Sequence, residues 1–451
     1  MSSSGYDGFD GSAVADASLH PPIHSQGPDA AAGVPTPASV LLDFSAYIDG
    51  RSNATTAWSE TRGGHRISVT FWPVHPPRVS CFSVFCPDLK PGDFEEEPVI
   101  LAAEDDVVLL CVVIGTRARF EYFIYQAGGC MPPSLKLLKH PGPSRVIHGC
   151  NAGLLRSSKG DGFYIIAALC YAYASMVPGH YDLYIYDSRT EEWATKTALL
   201  RQEQELGHHS SHKHSKPDRK LKGCADHDRD IAVIKGCIKY VELQTLVRPG
   251  SVVVGNYITD DWTAATWSRK ATSFKSLEKG SWQPGCKVSA SQISARKKPV
   301  QFELLPKLVD DQGTPQPTLE RLHTARPMLS LHQDNLVYFM AKVNYMKGTE
   351  AWVLAVDVKN KTLQGVAEFD ARRTLGMLFT CMCSSISQHL HMTPAIHGHL
   401  KRPGTLMHQS SLKKQAGTMD ILDWDGEQKL QDSDVEGTSV RALDQDSMDL
   451  E

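Results

Sequence analysis

The sequence predicts an all-β fold of propeller-like antiparallel blades, and two observations carry that expectation. Short runs rich in Val, Ile, Tyr and Phe, bounded by Gly, Pro, Asp and Asn, follow one another with hardly a stretch of helical period. RISVTFW at 66–72, SCFSVFC at 80–86, VVLLCVVIG at 107–115 and LVYFMAKV at 336–343 are examples. Secondly, a unit of about 35 residues recurs, made of a strongly apolar strand, a variable loop, a strand rich in aromatics, a tight turn and a third strand.

Three copies of the unit are legible. They are VVLLCVVIG, EYFIYQA and SLKLLKH; then FYIIAALCY, YDLYIYDS and WATKTALL; then LVYFMAKV, AWVLAVDV and TLQGVAEF. In the last two, Asp187 and Asp357 close the middle strand, and Trp193 and Leu363 open the third strand six positions later. An Asp side chain caps such a turn by accepting from backbone N–H groups two residues on. A unit of this kind cannot bury both faces alone, and radial packing of four-stranded blades solves that problem. The strand-like runs suffice for about five such blades, although their number does not itself require closure into a ring. A pair of packed sandwiches is the competing arrangement, kept open by the irregular spacing between copies.

Around this β-rich region, taken as residues 39–390, lie two segments of different composition. Residues 1–38 are rich in Ser, Ala, Gly and Pro without periodicity and are expected to be disordered. Residues 391–451 are expected to form a disordered, acidic tail, with 11 Asp or Glu against two basic residues between Met419 and Glu451. Trp424 lies within it, a candidate anchor on a partner or simply a solvated aromatic.

Composition narrows the function classes. A net charge of −4 gives no global attraction to nucleic acid or anionic membrane, so neither is expected as a partner. Eleven cysteines in no repeating framework read as reduced thiols, which points to the cytoplasm or nucleus. The N-terminus carries Asp7, Asp10 and Asp16 and has no apolar h-region, unlike a secretory signal or a basic transit peptide. The most hydrophobic run, 163–177, is shorter than the roughly 20 residues that span a bilayer, and it reads as a buried strand pair.

Several segments carry a family resemblance: RDIAVIKGCIKYVELQ at 229–244, DDWTAATWSRKA at 260–271, LLPKLVDD at 304–311, TLERLHTARPMLSLHQDNLVYFMAKV at 318–343 and AWVLAVDVKNKTLQGVAEF at 351–369. They are similar to a plant family, much expanded in grasses, catalogued as domain of unknown function 1618. LLDFSAYI and YDLYIYDSRTEEW resemble its N-terminal half, so the resemblance spans about 40 to 390. It implies no reaction, cofactor or catalytic residue. It does suggest blades of the kelch or F-box-associated type, although residues 30–60 lack the Leu-Pro-rich helical pattern of an F-box itself. The family pattern places a Trp-Val-Asp-Leu-Trp strand between the TEEW and RDIAV segments, where this chain has RQEQELGHHSSHKHSKPDRKLKGCADHD. Either two or more core strands are missing and a sheet edge is left open, or the sequence reflects an altered gene model.

That inserted loop, taken as 207–228, holds His208, His209, His212, His214, Cys224 and His227, weak candidates for zinc or copper ligands. Their spacing matches no closed tetrahedral site, and the interleaved Ser, Lys and Pro favour a solvated loop. Cys381 and Cys383 share one face of a strand and read as core thiols. Trp262 and Trp267, five apart, point to opposite faces of a regular strand, so one is a weak candidate contact with a partner. No phosphate-cradling loop, dinucleotide turn, nucleophile elbow or zinc-binding helix occurs. The expected function is therefore a non-enzymatic protein-interaction module with an unidentified protein partner and no cofactor. A propeller-type hydrolase or carbohydrate-active enzyme, and metal binding through the His-rich loop, are the alternatives.

Overall fold

The computed structural model describes residues 36–390, apart from 116–118, 130, 143–146, 148–150, 158–160, 172–179, 200–219, 222–227, 252–256, 272–281, 295–302, 310–311, 316–317, 345–349 and 371–380. The terminal segments expected to be disordered lie almost wholly outside these residues. The strands gather into five sheets arranged as a ring, like a five-bladed β-propeller.

The first sheet contains β1 (Val40–Asp43), β2 (Tyr47–Ile48), β3 (Ala57–Glu60), β4 (Arg66–Trp72) and β5 (Val79–Phe85). The second holds β6 (Val99–Glu104), β7 (Val107–Ile114), β8 (Arg119–Gln126) and β9 (Ser134–Leu137), and the third β10 (Ala152–Arg156), β11 (Tyr164–Tyr171), β12 (His180–Asp187) and β13 (Glu192–Leu199). In the fourth, β14 (Lys220–Leu221) and β15 (Arg229–Ile234) both pair with β16 (Cys237–Val247), which is followed by β17 (Thr259–Lys270) and β18 (Gln283–Ser289). The fifth comprises β19 (His323–Leu329), β20 (Leu336–Lys342), β21 (Glu350–Asp357) and β22 (Thr362–Asp370). The three repeat copies are thus β7–β9, β11–β13 and β20–β22. The run at 163–177 supplies β11, and its second half lies outside the described residues.

The ring is closed by the last strand. β23 (Cys381–Ser384) returns to the first sheet and pairs antiparallel with β1, Val40 opposite Ser384 and Asp43 opposite Cys381. The Ser387 hydroxyl donates to the Pro37 carbonyl at 2.7 Å and extends the clasp. β1 and β2 each run parallel to β5, so among the described strands this sheet alone mixes directions. On its other side the Ile100 N–H donates to the Phe44 carbonyl at 2.6 Å, joining the first sheet to the second.

The turns follow from local chemistry. Asp357 accepts the Lys359 and Asn360 N–H groups at 3.0 and 2.8 Å, and Asp187 accepts that of Arg189 at 2.8 Å. Four residues after each Asp, Lys361 and Glu191 have φ of 51° and 57°, the left-handed conformation that lets the chain double back into the next strand.

Four side-chain cores lie between neighbouring sheets. Phe71 and Phe82 of the first meet Leu110 and Tyr125 of the second, while Leu109 and Tyr122 on the second sheet's other face meet Ile166 and Tyr184 of the third. Trp262 and Leu243 of the fourth meet Phe339 and Leu354 of the fifth; Tyr338 and Val353 of the fifth meet Leu41 of the first. A sheet with a neighbour on both sides buries both faces. This is why β7 and β20 read as unbroken apolar runs, buried from Val107 to Val113 and from Leu336 to Lys342.

Leu41 is fully buried where the clasp meets the fifth sheet. Leu41→Ala is expected to cost about 2–5 kcal/mol in urea unfolding, the range for a cavity in a packed core.

Candidate functional site

The innermost strands, β23, β6, β10, β15 and β19, surround a cavity of about 730 Å³ at the centre of the ring. That volume falls within the range of small-ligand and peptide-anchor sites. The wall is mixed, with Leu155, Ile231, Val233 and Met328 among its apolar residues and Glu104, Asp105, Arg229, Asp230 and Arg326 as its charged groups.

Each charged group has a distinct setting. The carboxylate of Asp230 accepts the Leu329 N–H and its neighbour Ile231 N–H, both at 2.8 Å, so it ties β15 to β19. Burial raises its pKa, and those two hydrogen bonds pull it back. Burial likewise raises Glu104, with the charge of Asp105 adding to the effect. Arg326 has φ of 51° just before Pro327, a bend that carries β19 past the cavity. Beside the cavity, Asp228 is pushed up to about 6, first by burial; Arg229 and Arg326 pull it down while Glu242 pushes it up.

One junction of the ring differs from the rest. Among the described residues, no core cluster joins the third sheet to the fourth. On the third sheet Tyr164, Ile166 and Ala168 are buried against the second, whereas Ile165, Ala167 and Leu169 on the opposite face are half-buried. Leu155, paired with Ile165, is 64% exposed. On the fourth sheet Val241 and Leu243 are buried against the fifth. The opposite face presents Ile231 at 61% and Val233 at 68% exposure, directly across from Tyr240 and Ile238. Further out on this face Tyr240 packs against Trp267, ring centroids 5.5 Å apart, and against Trp282 at 6.1 Å. Among the described residues, two faces rich in apolar side chains therefore border an uncovered seam that runs into the central cavity. Between β13 and β15 the described residues are Lys220 and Leu221, which form β14, and Asp228.

The two candidate tryptophans separate as their spacing requires. Trp262 is fully buried, its indole N–H donating to the Leu319 carbonyl at 2.9 Å and its ring 5.0 Å from Phe339, so it is a core residue and not a contact surface. Trp267 lies on the open face, half-buried. Nothing in the sequence context singles out the exposed residues Leu155, Ile231, Val233 and Trp282 as contacts; the available signal is the apolar, odd-numbered side of RDIAVI. Cys381 and Cys383 lie on β23 at the cavity wall, and burial raises both thiols well above their ordinary range. His208, His209, His212, His214, Cys224 and His227 lie outside the described residues. Among the described residues no group of three or more His, Cys, Asp or Glu could hold a metal, and no helix is long and apolar enough to cross a membrane.

These features define a propeller-like β protein whose distinguishing site is a central cavity opening into an uncovered seam. The model of a family described as "Protein of unknown function (DUF1618)" matches residues 205–338, which carry the fourth sheet, β19 and the start of β20. No match to the chain was found among curated proteins.

The raised pKa of Asp228 has a sign that can be tested. The folded state holds this proton more tightly than the unfolded chain, whose carboxyl titrates near 3.8. The ionised group therefore destabilises the fold: the penalty is absent below about pH 4, grows between pH 4 and 6, and is complete above. Asp228→Asn is expected to be more stable than the parent at pH 7 and equal to it at pH 4, measured by urea unfolding across that range.

Proposed function

We propose that this is a non-enzymatic interaction module of a plant cell, acting in the cytosol or nucleus, which receives part of a protein partner at the open seam between the third and fourth sheets. The supporting observation is the exposure of Leu155, Ile231 and Val233 on facing apolar walls that continue into the cavity. Fully burying one such aliphatic side chain is worth about 1.5–3 kcal/mol, before the cost of association is met. The eight described cysteines form no disulfide with one another, which suits a reducing compartment.

The hydrolase alternative requires a carboxylate poised to exchange a proton with substrate. Asp230, the innermost acid by its burial, has each oxygen occupied by a backbone N–H, an arrangement suited to fixing strands. Nothing in the geometry favours that alternative over binding.

Affinity purification of the tagged full chain from plant tissue, quantified by mass spectrometry beside an Ile231→Ser, Val233→Ser double variant, tests the proposal. Both side chains are exposed, so the variant should fold. The expected result is a partner retained by the parent and depleted at least tenfold with the variant; equal recovery with both, or no specific partner, overturns it.

A further inference from the structure

We infer that the segment received at the seam is an apolar stretch carrying a carboxylate, and that Arg229 recognises that carboxylate. This rests on the proposed interaction function and names the chemistry of its partner. Arg229, Ile231 and Val233 occupy alternate positions of β15, so all three present to one face, and all three line the cavity. Arg229 is exposed, and its guanidinium makes no hydrogen bond or ion pair among the described residues; its charge acts on Asp228 and Tyr240.

The acids around Arg229 are committed elsewhere. Glu242 stands directly opposite it on β16, yet one of its oxygens accepts the Tyr240 hydroxyl at 3.1 Å and the other the Gln244 amide at 3.5 Å. Asp230 points to the other face of β15 and holds two backbone N–H groups. Asp228, pushed up to about 6 and therefore ionised at neutral pH, acts on Arg229 through charge without an ion-pair contact; burial raises Glu104, and Asp105 sits in the turn after β6 with φ of 48°. A guanidinium without a contacting carboxylate, bordered by exposed Leu155, Ile231 and Val233, matches a ligand with a carboxylate beside aliphatic side chains, because a planar guanidinium donates to both carboxylate oxygens at once. A cationic or uncharged apolar segment would leave that guanidinium partly desolvated and unpaired, which costs affinity.

The test uses the full chain and two fluorescein-labelled synthetic peptides, Leu-Ile-Glu-Ile-Leu and Leu-Ile-Gln-Ile-Leu, both amidated, read by fluorescence anisotropy. The parent should bind the Glu peptide about tenfold more tightly than the Gln peptide, the worth of one charge-assisted hydrogen-bonded pair. Arg229→Gln should abolish that difference by weakening the Glu peptide, and Ile231→Ser should weaken both peptides. Thermal unfolding of each variant confirms that it is folded. Equal binding of the two peptides by the parent, with both weakened by Ile231→Ser, overturns the carboxylate inference and leaves the seam as an apolar site. Binding of neither peptide overturns the inference and counts against the seam reading as well.

Discussion

A blade in a ring has two faces to cover, and the rest of this structure follows from how that requirement is met. The second and fifth sheets have neighbours on both sides, and their central strands β7 and β20 are apolar at nearly every position. Among the described residues, the third and fourth sheets each have a core on one side only. Their second faces carry Ile165, Leu169, Ile185, Ile231, Val233 and Tyr240, interspersed with charged residues such as Arg229 and Glu242. Leaving such faces uncovered forgoes burial worth several kcal/mol. That forgone burial is what a partner at the seam would recover, and it is the physical basis for reading the seam as a binding surface.

Ring closure determines where the cavity sits. β1 is held by β23 across more than three hundred residues of chain, and the first sheet then contacts β6 through the Phe44 carbonyl. The inner strands are thereby brought around one axis, with Asp230 tying β15 to β19 and Arg156 pairing with Asp106 to tie β10 to the second sheet at 2.9 Å.

The sequence made the outer three strands of three blades legible because each follows its predecessor through a short turn with its own chemistry, as Asp187 and Asp357 illustrate. The inner strands were harder to read. β6 carries a register shift between Ile100 and Ala102, β19 one between Ala325 and Met328, and β10 is AGLLR with a glycine within it. Such interruptions break the period-two pattern from which strands are recognised. Closure by β23 was not legible either, since nothing local in CMCS specifies a partner at Val40–Asp43. The site is built from those same inner strands, so it left no contiguous motif. What the sequence did hold was the five-residue spacing that puts Trp262 in the core and Trp267 on the open face.

The openness of the seam is measured most directly by photochemical carbene footprinting of the purified full chain, with labelled positions located by mass spectrometry. Leu155, Ile231 and Val233 should be labelled at rates close to those of exposed aliphatic side chains, while Leu109, Val337 and Leu354, buried between paired sheets, should be protected. Protection of Ile231 and Val233 to the same degree as Leu109 would mean that the third and fourth sheets are packed like the others, and would contradict the open seam.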